Sequence, residues 1–188
     1  MSAATLNADE AAHCLRDGGV IAYPTEAVWG LGCDPFDVMA LERLLAIKQR
    51  PADKGLIAIA ADLAQLRPLL DLAALSAERL AEVEASWPGP NTWLMPCRDD
   101  LPFALRGDNP RLAVRVSAHG PVIELCRAFG GPVVSTSANL SGEEPARRRG
   151  DLSAALLAQL DGVMVGETGE RPRPSTIRDA IDGRILRS

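Results

Sequence analysis

The spacing of apolar residues divides the chain into short, alternating helices and strands. Apolar positions at helical spacing, such as Val38, Leu41 and Leu45, predict amphipathic helices, whereas short continuous apolar runs predict buried strands. Helices are expected near residues 7–16, 38–45, 62–68, 76–87, 121–129 and 152–160. Strands are expected near residues 20–23, 56–61, 92–95, 112–116, 133–135, 163, 175 and 185.

Capping residues and connection lengths indicate the fold class. Asn7 followed by Glu10 predicts a capping box, and Asp62 and Ser76 are expected N-caps of later helices. The interleaving of helices with strands indicates an α/β domain. Several strands are joined by connections too short for a crossover helix, so we expect a mixed sheet. The 188 residues, 47% of them apolar, fit one domain with a substantial core.

Composition excludes several classes of protein. The apolar runs are shorter than the roughly 20 residues that cross a bilayer, and no signal peptide is recognisable, so we expect a cytoplasmic protein without a membrane partner. Cys14, Cys33, Cys97 and Cys126 are scattered without zinc-site spacing, which favours reduced, packed thiols and no metal site. The net charge of −5 argues against a protein that coats nucleic acid.

The segment of residues 23–35 is the first candidate for binding chemistry. Pro24 is expected to end the preceding strand, while Gly30 and Gly32 allow the backbone to approach another group closely. We interpret the segment as a ligand-binding loop. Four further polar blocks follow, at residues 48–51, 88–92, 135–142 and 174–177.

The block that begins at Lys48 is a candidate phosphate site. The chain has neither a P-loop nor the third glycine of a dinucleotide-binding loop, so a nucleotide must be held by other groups. Arg50 is able to fork onto phosphate oxygens, and Lys48 and the weaker candidate Lys54 supply point charges. The alternative is a solvated basic turn.

Two other patterns allow either a binding or a structural role. Ser135, Ser137, Asn139 and Ser141 follow a predicted strand, and such turns bind ligands or satisfy their own backbone. Arg115 interrupts an apolar strand and therefore needs an ion-pair partner or an anionic ligand. The arginines at 147–149, with Arg171 and Arg173, form either a solvated edge or a rim that touches RNA.

In this combination and order, the five blocks resemble the YrdC/TsaC family of threonylcarbamoyl-AMP synthases, from about residue 5 to residue 185. The resemblance implies one YrdC-like domain over residues 1–188, with a twisted, mixed, open sheet, flanking helices and a concave, positively charged cavity. It also implies synthesis of L-threonylcarbamoyladenylate and pyrophosphate from L-threonine, bicarbonate and ATP. The product would serve threonylcarbamoyladenosine modification of tRNA by partner proteins.

The resemblance assigns roles residue by residue. Lys48, Arg50, Ser137 and Asn139 match the catalytic positions, which together with Lys54 and Ser141 would bind ATP. Thr25, Arg115, Ser135 and Ser175 fall at threonine-binding positions. Magnesium would be bound through the ATP phosphates, with no protein metal site. Ala27 and Ile59 depart from the larger relatives, which often place a threonine and a histidine there.

Two other functions remain open from the sequence. One is a non-catalytic RNA-binding or ribosome-associated module that uses the same basic cavity, with tRNA as a possible direct ligand. The other is carbamoyl transfer, as in the related domain of hydrogenase-maturation proteins. That domain normally lies in a much longer chain with zinc motifs, which this sequence lacks.

Overall fold

The computed structural model describes residues 3–172 and 175–187, and within them a single ten-stranded sheet. The strands are β1 Ala4–Leu6, β2 Ile21–Pro24, β3 Trp29–Gly32, β4 Ile57–Ala60, β5 Asn91–Pro96, β6 Arg111–Val116, β7 Val133–Ser137, β8 Gly162–Met164, β9 Thr176–Asp179 and β10 Ile185–Arg187. The helices are α1 Ala8–Arg16, α2 Val38–Lys48, α3 Leu63–Leu66, α4 Ala77–Ala85, α5 Phe103–Arg106, α6 Gly120–Phe129 and α7 Ala154–Leu157.

The sheet is mixed and open, which confirms the predicted fold class. Its strand order is β1-β8-β2-β3-β7-β4-β6-β5-β9-β10. The neighbours β4 and β6 run parallel, with Ile57 opposite Ala113, whereas β7 is antiparallel to both β3 and β4. No described helix has the length and apolar character needed to span a membrane.

The two faces of the sheet are covered unequally. One face carries the larger core, in which Leu41 and Leu44 of α2 and Val83 of α4 pack among strand residues such as Trp93 and Val114. On the other face, α1 and α6 cover a smaller core of the residues Ala11, Leu15, Ile21, Tyr23, Ile59, Val122, Leu125, Cys126, Val133 and Met164. These two helices cover part of that face only, which leaves room for a cavity on the same side of the sheet.

Local sequence accounts for most helix starts. The Asn7 side chain accepts from the backbone amide of Glu10 while the Glu10 side chain accepts from that of Asn7, so the predicted capping box is confirmed. Asp62 and Ser76 cap α3 and α4 as expected. Gly130 lies in the left-handed region after α6, a conformation that glycine adopts without a Cβ clash.

One predicted boundary is confirmed and two are wrong. Pro24 is the last residue of β2, as expected, and it still pairs with Trp29 at the end of an antiparallel hairpin, where its missing amide costs no ladder bond. Residues 29–32, expected as loop, form the buried strand β3 between β2 and β7. The helix expected at 152–160 is only the four-residue α7, because the amide of Asp161 already bonds the Val20 carbonyl as the chain enters β8.

Candidate functional site

A cavity of about 550 Å³ lies on the part of the sheet that α1 and α6 leave uncovered. Its floor is a row of paired positions across four strands, because Ile57 lies opposite both Ser135 and Ala113, and Ala113 opposite Leu94. Side chains alternate between faces along a strand, so the β6 residues next to Ala113 point into the larger core while Arg115 points to the cavity side.

The lining combines hydroxyl groups with cationic side chains. The hydroxyl residues are Thr25, Ser135, Thr136, Ser137 and Ser175, and the cationic ones are Arg50, Lys54, Arg115 and Arg187. Within the described part of the chain, no Asp or Glu lines this cavity. The arrangement suits a ligand that carries both negative charge and hydrogen-bonding groups.

The loop between β2 and β3 borders one side of the cavity. The Thr25 hydroxyl donates to the Val28 carbonyl at 2.7 Å, which leaves its oxygen able to accept from a ligand. Gly30 lines the cavity, as a ligand-binding loop would require. Gly32 does not: a Cβ there would lie 2.6 Å from the Tyr23 ring, so this glycine accommodates a core side chain.

Lys48 lies at the end of α2 and supports the Ser/Asn turn. Its ammonium donates to the Ser137 carbonyl at 2.7 Å, to the Asn139 carbonyl at 2.6 Å and to the Asn139 side-chain oxygen at 2.8 Å. Lys48 is 8% exposed, and it is not among the described residues that line the cavity. Its direct contact with a nucleotide therefore stays a prediction, while its contact with the turn is a feature of the structure.

We expect the charge of Lys48 to matter for activity and to be lost at moderately alkaline pH. Burial, with the nearby positive charge of Arg50, lowers the pKa of the Lys48 ammonium to about 8. The three-donor ammonium is therefore present below that pH, and the amine formed above it has only two donors for these acceptors. Turnover of the wild-type protein should fall as pH rises through about 8.

The control for this prediction is Lys48→Arg, which keeps a positive charge at every pH used. Threonine also titrates in this range, and dividing the wild-type rate by the rate of the variant at each pH cancels that contribution. The ratio should decline above pH 8. A ratio that stays level to about pH 9.5 would show that the ammonium is not required.

The Asn139 side chain is engaged within its own turn. Its amide nitrogen donates to the carbonyls of Leu140 at 3.0 Å and Glu143 at 2.8 Å, and its oxygen accepts from the Ser137 hydroxyl at 2.6 Å. The structure thus brings together Lys48, Ser137 and Asn139, three of the residues to which the resemblance assigns catalytic roles. Of these three described residues, only Ser137 lines the cavity. Lys48, Asn139 and the further candidate Ser141 are not part of the lining.

Arg50 and Lys54 line the cavity from the turn that follows α2. The Arg50 guanidinium donates to the Gly55 carbonyl from Nε at 3.2 Å and from Nη2 at 3.0 Å, which orients its plane. Within residues 3–172 and 175–187, Nη1 makes no hydrogen bond. Arg50 therefore retains donors for an anionic ligand while the loop holds the group in place.

Arg115 has both of the features that the sequence left as alternatives. It lines the cavity, and its Nη2 lies 3.2 Å from Oε2 of Glu26 in a pair whose side chains are each 10% exposed. An ion-pair partner and an anion site are therefore compatible here. Ser175 also lines the cavity, and its hydroxyl lies 2.7 Å from that of Thr92.

Several residues have positions that the sequence did not reveal. Glu26 belongs to the recognised loop but was not identified as a partner of Arg115, because nothing local in the sequence links β6 to that loop. Arg187 near the C-terminus lines the cavity, and no motif marked it. Ile59 is fully buried beneath α6 and lies outside the cavity lining, in contrast to Ala27.

The remaining candidates do not converge on the cavity. Arg147 donates to the Pro172 carbonyl at 2.9 Å, and Arg149 donates to the Thr5 hydroxyl at 2.6 Å, so both make contacts within the chain. Arg173 and Pro174 lie outside the described residues. Burial raises the pKa of the Cys33 and Cys126 thiols, which favours the protonated thiol over the nucleophilic thiolate. The described residues contain no group of three or more His, Cys, Asp or Glu side chains placed to hold a metal ion.

Fold and site together define the class: an α/β protein with a hydroxyl- and cation-lined cavity on the uncovered part of an open, mixed sheet. Residues 13–188 match the model of the Sua5_yciO_yrdC family, which is described as "Telomere recombination". The chain therefore belongs to the Sua5/YciO/YrdC family, which confirms the predicted resemblance.

Relatives agree with this assignment over nearly the whole chain. The threonylcarbamoyl-AMP synthase of Stenotrophomonas maltophilia (strain K279a) is 56% identical over 183 residues, covering 97% of this chain and 98% of that protein. The crystal structure of P. abyssi Sua5 complexed with L-threonine has a TM-score of 0.84 and 28% identity, covering 95% of this chain and 53% of the other. E. coli YciO has a TM-score of 0.83 and 25% identity, covering 100% of this chain and 96% of the other.

Proposed function

We propose that this protein is a threonylcarbamoyl-AMP synthase, which forms L-threonylcarbamoyladenylate and pyrophosphate from L-threonine, bicarbonate and ATP. The observation that carries the proposal is the cavity itself, whose lining combines cationic side chains with hydroxyl groups. Two relatives support the proposal: the S. maltophilia protein, 56% identical, is named threonylcarbamoyl-AMP synthase, and P. abyssi Sua5 has a structure in complex with L-threonine.

The chemistry requires charge neutralisation and proximity more than a protein nucleophile. The threonine amine attacks the bicarbonate carbon, and loss of water from that carbon gives a carbamate. A carbamate oxygen then attacks the α-phosphorus of ATP as the bond to pyrophosphate breaks. Both reactants are anionic, so their approach needs cationic groups held in place beforehand. Arg50 and Lys54 are suited to the triphosphate, and Arg115 on the floor is suited to the threonine carboxylate.

The Ser137 hydroxyl and the turn that Lys48 supports would orient the nucleotide beside these cations. Thr25, Ser135 and Ser175 would contact threonine. Magnesium fits this site only as a companion of ATP, because the cavity lining offers phosphate-binding cations and the described residues supply no carboxylate cage. Bound in that way, the ion would neutralise phosphate charge, and the product would pass to partner proteins that modify tRNA.

The RNA-binding alternative has weaker support in the described contacts. Two of the three arginines at 147–149 contact groups within the chain, and the cavity of about 550 Å³ is the size of a small-molecule site. Pure RNA binding would also weaken steeply with salt and would survive loss of Asn139, whereas synthesis needs Asn139.

The proposal predicts that pyrophosphate release from ATP requires threonine and bicarbonate together. Adenylation has no acceptor until the carbamate exists, so omission of either compound should reduce release to the background rate. The measurement is pyrophosphate release in buffer freed of carbon dioxide, with each component omitted in turn. Equal release without threonine would refute the synthase assignment.

A further inference from the structure

Glu26 is a buried acid that the proposed chemistry does not use directly. It is 8% exposed, and among the described residues it is not part of the cavity lining. Its Oε2 lies 3.2 Å from Nη2 of Arg115, and its Oε1 accepts a 2.6 Å hydrogen bond from the Ser117 hydroxyl. A buried carboxylate is costly unless it is paired and hydrogen-bonded, and here one oxygen accepts a hydrogen bond while the other faces Arg115.

The position of Glu26 is determined from several directions. Ser117, which donates to the Glu26 carboxylate, is fully buried and has two further hydrogen bonds. Its hydroxyl oxygen accepts from the His119 amide at 3.1 Å, and its backbone amide donates to the Ala60 carbonyl at 2.9 Å. The Glu26 carbonyl accepts from the amide of Arg171 at 3.2 Å.

Gly169, in the segment after β8, packs against the backbone of the loop between β2 and β3. Its amide donates to the Thr25 carbonyl at 2.9 Å, and a Cβ on this glycine would lie 2.5 Å from the Glu26 carbonyl oxygen. The loop and the segment that contains Gly169 therefore pack so closely that a side chain at Gly169 has no room. Such close packing transmits any displacement of this segment directly to Glu26.

Arg115 has donors left for a ligand after this pairing. Oε2 of Glu26 faces Nη2 as an ion pair and not as a hydrogen bond, because neither Oε2 of Glu26 nor the buried Nε of Arg115 has a hydrogen-bond partner among the described residues. The two Nη atoms are thus the donors available to a ligand. An arginine that is held by a buried ion pair while its guanidinium lines the cavity is oriented before its ligand arrives, which reduces the ordering cost of binding.

We infer that Glu26 is a positioning residue: it fixes the Arg115 guanidinium on the cavity floor so that its Nη donors receive the carboxylate of the amino-acid substrate. This inference rests on the proposed function, in which Arg115 binds threonine. Glu26 itself touches no substrate. Its negative charge keeps Arg115 folded against the loop, and its loss would let the guanidinium rotate away from the productive geometry.

Glu26→Gln tests the inference, because it keeps the shape and the acceptor for Ser117 but removes the charge. We expect the KM for threonine to rise by roughly ten- to a hundredfold, as misplacement of a substrate-orienting group does, while the KM for ATP changes less than twofold. Gly169→Ala should shift the threonine KM in the same direction by displacing Glu26, with its charge retained.

The matched control is Asp179→Asn. It breaks the ion pair between Asp179 and Arg111. Both residues belong to the same sheet as the cavity floor, but neither is among the described residues that line the cavity. This variant should lose stability in a thermal melt and keep both KM values. Wild-type turnover that ignores threonine would refute the proposed function. This inference alone would be overturned if the wild type turns over normally and Glu26→Gln has an unchanged KM for threonine. Equal increases of the KM for threonine and the KM for ATP in Glu26→Gln would also overturn it.

Discussion

Valine should be turned over with a kcat/KM roughly 10⁴-fold lower than that of threonine. Ser135 and Ser175 lie on the cavity wall with Thr25, and all three are at least nine-tenths buried. Hydroxyl groups in such a site lose their partner when valine replaces threonine, and an unpaired buried polar group is expensive. The measurement is kcat/KM for each amino acid at saturating ATP and bicarbonate.

Serine separates the contribution of the hydroxyl from that of the methyl group. It retains the hydroxyl and loses one methyl, which is worth roughly 1–3 kcal/mol, so serine should be a poor but measurable substrate. Ala27 lies on the cavity and is available to contact that methyl, whereas the buried Ile59 is not. Valine performing as well as serine would show that the hydroxyl is not recognised.

A pair of variants connects this selectivity to the cavity. Ser135→Ala should reduce the preference for threonine over valine because it removes a hydroxyl from the lining. Ser76→Ala removes a hydroxyl of the same kind from the N-cap of α4, outside the lining. It should cost about 1 kcal/mol of stability and leave the preference unchanged.

Arg50→Lys should reduce kcat/KM by about 10²-fold with little change in stability. The substitution keeps the positive charge but loses the planar fork, so the side chain can no longer bond the Gly55 carbonyl and two phosphate oxygens together. Removal of one preorganised donor from a charge-stabilising site costs a factor of this order. Steady-state kinetics and a thermal melt measure the two quantities.

The matched control is Arg79→Lys on α4, where the arginine pairs with Glu82 away from the cavity. It makes the same chemical change and should leave turnover unaltered. Near-native activity of Arg50→Lys with ordinary ATP affinity would instead mean that the basic turn is only solvated. Equal losses in both variants would point to a general effect of exchanging arginine for lysine.

The sequence was sufficient for features that depend on neighbouring residues. The capping box of Asn7 and Glu10 and the N-caps Asp62 and Ser76 act within three residues, so a local pattern predicts them reliably. The mixed sheet followed from connection lengths. The ordered polar blocks identified the family, which the match over residues 13–188 confirms.

Strand β3 shows why other elements were not predictable. Residues 29–32 contain two glycines, which have low strand propensity, and they become a strand because β2 and β7 supply hydrogen-bond partners on both sides. The same kind of non-local contact shortens α7, since Val20 takes the Asp161 amide. Local propensity is a weak guide wherever a distant strand supplies the partner.

From sequence alone, the candidate residues Lys48, Arg50 and Arg115 were recognisable as cations in polar blocks or in an apolar strand. Only the tertiary structure separated their environments: Arg50 and Arg115 line the cavity, whereas Lys48 supports the turn at Ser137 and Asn139. The pairing of Arg115 with Glu26 was likewise decided by packing, because these residues lie on segments far apart in sequence. Residue type determines which charges a chain carries, and the pairing of the strands and the packing of the loops determine which of those charges meet.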